Sequence, residues 1–167
     1  MAMVNGFFQC NGATERNDEL VEISTKKYLL IFGYGTDADG NGYTFRKYYD
    51  HKPTRKELRE DIDALVNAQT DSRILTGFVW NGKPVYLSTE NQSNFKTAYD
   101  IARDTDGANL PIRFKLGEDA DGAPIYHTFT KFEPLQDFIL KASNFVNDTL
   151  NEGWREKDGV DYTALGV

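Results

Sequence analysis

A chain of 167 residues suits one domain able to bury roughly 68–70% of its unfolded surface, so it needs no disulfide or metal staple. Its 26 acidic against 19 basic residues give a net charge of −7 with Lys and Arg dispersed, which argues against nucleic acid as a partner, and the single cysteine, Cys10, rules out an intramolecular disulfide or a cysteine-based zinc site. The longest apolar run, Tyr28–Phe32, is far short of the ~20 residues of a membrane span, and the N-terminus lacks the pattern of a signal peptide, so cytoplasmic synthesis without a membrane partner is expected.

Residues 1–25 read as an N-terminal arm. Asn11-Gly12 can turn a hairpin and Glu19–Ile23 can extend, but the polar run Ala13–Asp18 favours a frayed, mobile terminus. Tyr28–Tyr34 then reads as a buried strand, with Tyr43–Tyr49 as its antiparallel partner across the loop Thr36–Gly42. Thr54 and Glu57 stand at capping-box spacing. Leu58, Ile62, Leu65 and Val66 follow on one helical face.

The stretch Phe78–Ala102 repeats this order in 25 residues. Asn81-Gly82 between β-rich runs predicts a type I′ hairpin, because both central positions need positive φ. A two-residue loop pairs Trp80 with Lys83, Phe78 with Val85 and Thr76 with Leu87 on one face. Val79, Tyr86, Leu75, Gly77 and Pro84 share the other, which is apolar enough to predict cover on both sides. Ser88 or Thr89 caps the next helix, with Gln92 at capping-box spacing from Thr89. Phe95, Ala98, Tyr99 and Ala102 form its stripe, and Asp106-Gly107 stops it.

Ile112, Phe114 and Leu116 alternate with Arg113 and Lys115, as in a strand with one wet face. Ile125–Thr130 returns after the loop Gly117–Pro124. Pro134 suits a helix start, and apolar residues recur at helical spacing from Leu135 to Leu150, predicting a helix to about Trp154, ~30 Å long. Residues 157–167 read as a tail. A shift of 40 residues carries Gly82, Pro84, Val85, Tyr86 and Ser88 onto Gly122, Pro124, Ile125, Tyr126 and Thr128. The same shift carries Phe95, Ala98, Tyr99 and Ala102 onto Leu135, Phe138, Ile139 and Ala142. Duplication and the plain grammar of hairpin and helix predict the same topology here.

The sharpest metal-like string, Asp37-Ala38-Asp39-Gly40-Asn41-Gly42, matches the first half of a calcium loop. Position 12 is Tyr48 instead of a bidentate Glu, which favours an ordinary hairpin loop. His127 shares strand parity with Ile125 and Phe129, as a packed histidine would. No nucleophile–base motif or phosphate loop is present, and the carboxylates Asp61, Asp63, Glu90 and Asp100 suit solvated helix faces. The expectation is therefore no enzyme, no catalytic residue, no metal and no cofactor. Trp80 at the hairpin tip with Lys83 opposite, Tyr86, and the polar turn Glu90, Asn91, Gln92 and Asn94 are the candidate contacts for a partner or a glycan. Capping and core packing are the plainer explanations of the same residues.

The wording Trp80-Asn81-Gly82, Val85-Tyr86-Leu87-Ser88 and Glu90-Asn91-Gln92, then Asn94-Phe95-Lys96 and Ala98-Tyr99-Asp100, resembles a family of uncharacterised proteins encoded among phage and prophage structural genes of gut bacteria. That family is similar to a domain of unknown function accompanying tail-fibre genes, and the likeness extends over roughly residues 74–156. The resemblance implies a virion-associated or tail-assembly accessory acting through contacts with itself and with other phage structural proteins. It transfers no catalytic residue. The expected fold is α+β: ββα modules at 26–69, 74–106 and 110–154 within one domain at 26–156, an antiparallel sheet with helices mainly on one face, and the longest helix last. The alternative function is a small glycan-acting hydrolase or carbohydrate-binding module of a phage tail.

Overall fold

In the computed structural model, which describes residues 3–167, the first helix begins where the capping chemistry predicts. Thr54 Oγ1 accepts the Glu57 N–H, while the Thr54 N–H and hydroxyl both donate to Glu57 Oε2, at 2.8 and 2.9 Å. Helix α1 (Arg55–Thr76) starts there. The chain is α+β, with eight strands and three helices among the described residues, and it divides into two compact units. One is Met1–Ala68 with Arg155–Val167, the other Gln69–Trp154. The expected single domain at 26–156 misses this division because both boundaries fall inside helices, where periodicity runs on without a break.

The first unit holds a four-stranded antiparallel sheet made of β1 (Phe8–Asn11), β2 (Glu19–Ser24), β3 (Lys27–Thr36) and β4 (Gly42–Tyr49), in the order β1-β4-β3-β2. Phe8–Asn11 and Glu19–Ser24 are thus sheet strands, and the expected mobile arm is corrected. The polar run between them satisfies its neighbours with side chains. Asp18 accepts the Gly33 N–H at 2.8 Å, and Arg16 bridges Asp18 and Glu156. Leu30, Phe32 and Tyr49 on the inner face pack with Leu58, Ile62, Leu65 and Val66 of α1. Phe7, Tyr162 and Leu165 complete that core, so residues 157–167 are a packed segment and the expected loose tail is corrected. Arg55 and Arg59 lie over the Tyr162 ring, the contact that holds the segment down.

His51 sits before α1 with Nδ1 2.7 Å from Asp50 and Nε2 2.9 Å from Glu57. The Asp50 bond, then the Glu57 bond, raise the His51 pKa above its ordinary 6.5. Glu57 is held down to about 2, first by the Thr54 N–H and then by His51. The His51 contribution is fully present below pH 6.5 and lost as pH rises through the raised value. That of Glu57 is present above 4.5 and lost as pH falls towards 2. The melting-temperature gap between the native chain and His51→Ala is therefore expected to be widest between 4.5 and 6.5 and to close on the alkaline side, read by thermal unfolding across a pH series.

The second unit holds β5 (Phe78–Trp80), β6 (Lys83–Val85), α2 (Thr89–Asp104), β7 (Ile112–Glu118), β8 (Pro124–Phe129) and most of α3 (Phe132–Asp158). The predicted hairpin register is observed, with Phe78 opposite Val85 and Trp80 opposite Lys83, and both Asn81 and Gly82 have positive φ. Leu75 and Thr76, read as strand, instead close α1, since Gly77 N–H still bonds back to Arg73. Ser88 is the cap of α2 and accepts the Asn91 N–H. The Tyr86 N–H donates to Leu116 O at 2.7 Å, linking the two hairpins. Gly117 permits that approach, because a Cβ there would stand 2.8 Å from Pro84 O. Phe138 of α3 fills the centre, its ring 5.1 to 5.4 Å from those of Phe95, Trp80 and Phe129.

Candidate functional site

The sequence-derived contact residues separate into buried and open groups. Trp80 belongs to the core: it is 3% exposed, packs on Phe129, Phe138 and His127, and donates its indole N–H to Asp137 at 3.0 Å. It is not a surface ring for a glycan or partner. The reason is strand parity, since Trp80 shares the inward face with Phe78 and Val85, on which α2 and α3 pack. The indole bond, then Lys141, hold Asp137 below the usual carboxylate range.

Lys83 is half-buried and donates to His127 Nδ1 at 2.9 Å. Burial first, and then the Lys83 charge, push the His127 pKa down, so the neutral imidazole is the form that accepts this bond. His127 is the packed strand histidine expected from its parity, edge-on to Trp80 and Phe129.

The amides of the α2 first turn hold the chain that enters it. Asn91 Nδ2 donates to Tyr86 O and Gln92 Nε2 to Leu87 O, both at 2.8 Å. Glu90 and Asn94 remain on the exposed surface. Asp37 accepts the N–H groups of Asp39 and Asn41, and Asp119 those of Asp121 and Ala123. Both Asp-Ala-Asp-Gly strings therefore spend their leading carboxylate on closing a hairpin loop. The Asn41 N–H is the foremost cause of the lowered Asp37 pKa.

What remains open in Gln69–Trp154 is the outer face of its strands. Val79 is 58%, Tyr86 45% and Tyr126 46% exposed. This corrects the expectation that the Asn81-Gly82 hairpin is covered on both sides: its inner face takes both helices, and the outer residues Val79, Pro84 and Tyr86 stay in solvent. Lys115 lies opposite Tyr126, and the Arg113 guanidinium sits 3.9 Å from the Tyr126 ring centre. Lys115 also pairs with Glu118 at 2.8 Å. Beside Tyr86 a groove of ≈ 730 Å³ runs past Leu75, Asn91, Lys115 and Glu118. Apolar ring faces flanked by charged groups beside two packed hairpins can anchor a protein or glycan chain. Strand parity places Val79 and Tyr86 on one face, as expected from sequence, but that face was expected to be covered; Tyr126 was not singled out, although outward parity on its hairpin was a usable signal.

Among the described residues no cluster of three or more His, Cys, Asp or Glu is arranged to hold a metal ion, and no helix is long and apolar enough to cross a membrane. Comparison with protein-family models, with curated proteins and with solved structures finds no match to this chain.

Proposed function

We propose that this protein is a non-enzymatic phage or prophage accessory of the virion tail region, structural or assembly-related, that works through protein–protein contacts. The phage assignment rests on the likeness of residues 74–156 to proteins encoded among tail genes. The contact role rests on one observation: Val79 and Tyr126 on strands, and Tyr86 just after β6, stand exposed on the side opposite the one filled by α2 and α3. Aromatic side chains of this kind are enriched at interface centres, where they bury large area at little entropic cost.

Particles purified from an induced host carrying the gene are expected to contain the protein by mass spectrometry. Tyr86→Asp combined with Tyr126→Asp is expected to lower its copy number at least about tenfold without moving the urea-unfolding midpoint. Absence of the wild-type protein from the particles would refute the assignment.

A glycan-directed role is the second reading, and the groove favours it by placing Tyr86 with Glu90 and Glu118 along one channel. It predicts glycan-array binding that Tyr86→Ala removes, and, for a hydrolase, release of reducing sugar that Glu90→Gln or Glu118→Gln abolishes.

A further inference from the structure

The outer face of the four-stranded sheet in the first unit is a separate surface with its own charge pattern. Side chains of residues paired across strands share a face. The registers therefore place Glu19, Ile31, Arg46 and Phe8 in one row across β2, β3, β4 and β1. The next row holds Val21, Leu29 and Tyr48. Cys10 and Thr44 flank the first row, and Ile23 adjoins the second. Helix α1 packs on the opposite side with Leu30 and Phe32. The outward residues Val21, Leu29, Ile31 and Phe8 remain only partly buried, while Tyr48 and Ile23 are exposed. At about 4.8 Å between strands, four strands span roughly 15–20 Å, the scale of an interface core rather than of scattered surface hydrophobics.

Three charged groups border or interrupt this apolar field: Lys27 at the start of β3 lies over the Tyr48 ring, while Glu19 on the β2 edge and Arg46 on β4 form no ion pair among the described residues. Arg46 Nε is also shut off from solvent without a hydrogen-bond partner. We propose that this face packs on the same face of a second copy of the chain, in an isologous dimer whose twofold axis runs along the strands between β3 and β4. That axis exchanges β3 with β4 and β2 with β1 across the interface, so along the shared row the charges run Glu19, Arg46, Arg46, Glu19 from alternate copies, with each Arg46 within side-chain reach of Glu19 of the other copy on one side and of its Arg46 on the other. An axis across the strands would set Glu19 over Glu19 and Arg46 over Arg46, which like-charge repulsion disfavours. The selected arrangement is an aligned sandwich, the sheets about 10 Å apart, with Ile31 and Leu29 beside the axis and Val21 towards the edge.

The inference extends the contact role proposed above to a surface and a partner, but it can fail by itself. Sedimentation velocity of the full chain over a dilution series up to ~100 μM is expected to show a reversible dimer. Arg46→Glu and Glu19→Arg should each weaken it at least about tenfold, and the combined swap should recover most of the loss. Leu29→Glu, at the apolar centre, should leave only monomer, with circular dichroism confirming the fold of every variant. A monomer throughout, a dimer indifferent to all three single variants, or a swap that recovers nothing would each overturn the proposal. A monomer that still co-purifies with particles would sink the dimer and leave the contact role standing. A dimer missing from particles would do the reverse.

Discussion

Trp80→Ala is expected to destabilise the Gln69–Trp154 unit by about 3–5 kcal/mol, the cost of emptying a large aromatic site that the core cannot fully collapse around. The ring is 3% exposed and touches Phe129, Phe138 and His127, so its removal strips partners from both β8 and α3. Stability of a whole domain is typically only ~5–15 kcal/mol, and much of it would go. Trp80→Phe keeps most of the packing and loses the bond to Asp137, with an expected cost of roughly 1–2 kcal/mol because that carboxylate is well solvated. Urea unfolding followed by intrinsic fluorescence and circular dichroism separates the two. A Trp80→Ala protein as stable as wild type would mean that the ring is not the core residue described here.

Asp61→Ala should be the most damaging polar substitution, at about 3 kcal/mol. One carboxylate serves three donors: Oδ1 accepts from Asn5, and Oδ2 accepts from the Tyr49 hydroxyl and Lys47 Nζ of β4, each at 2.7 Å. Asp61 and Lys47 side chains are 15% and 18% exposed, so deleting one partner strands the other charge in a poorly hydrated place. Lys47 also lies over the rings of Phe7 and Tyr49. Burial foremost, and then the bond to Asp61, raise the Tyr49 pKa, which keeps its hydroxyl a donor. Asp61→Asn should cost about half as much, since an amide oxygen can still accept. Lys47→Met with Asp61→Leu should recover much of the loss, because apolar replacement of both partners removes the stranded charge. Equal stability of Asp61→Ala and Asp61→Asn in chemical unfolding would contradict this account.

The local signals read from sequence were those with short-range physical causes. Asn81-Gly82 turns because both residues accept positive φ, and Thr54 with Glu57 caps because three residues bring the two side chains together. The strands at 27–36, 42–49, 112–118 and 124–129 were visible as runs of alternating or continuous apolar residues. The ordering of residues 8–24 was not, because the pairing of β1 and β2 depends on edges supplied by β3 and β4. The packing of Tyr162 and Leu165 likewise depends on a core whose other buried members, from Phe7 to Val66, come from the far end of the chain.

The candidate site shows the same limit. Parity placed Phe78, Trp80 and Val85 together, but parity alone cannot say which face meets the helices. Once α2 and α3 take the Trp80 side, Trp80 is lost as a contact residue and Val79, Tyr86 and Tyr126 become the open ones.

By itself, then, the amino-acid order determined the α+β class, the succession of hairpin and helix, the turns, the caps and the long last helix, because each depends on backbone preferences and periodicities within a few residues. Only the tertiary structure decided that the chain closes into two units, that Phe7 joins a core with Tyr162 and Leu165, and which sheet faces stay open. Those outcomes are set by which apolar surfaces meet across long sequence separations, a choice that local residue patterns leave undetermined.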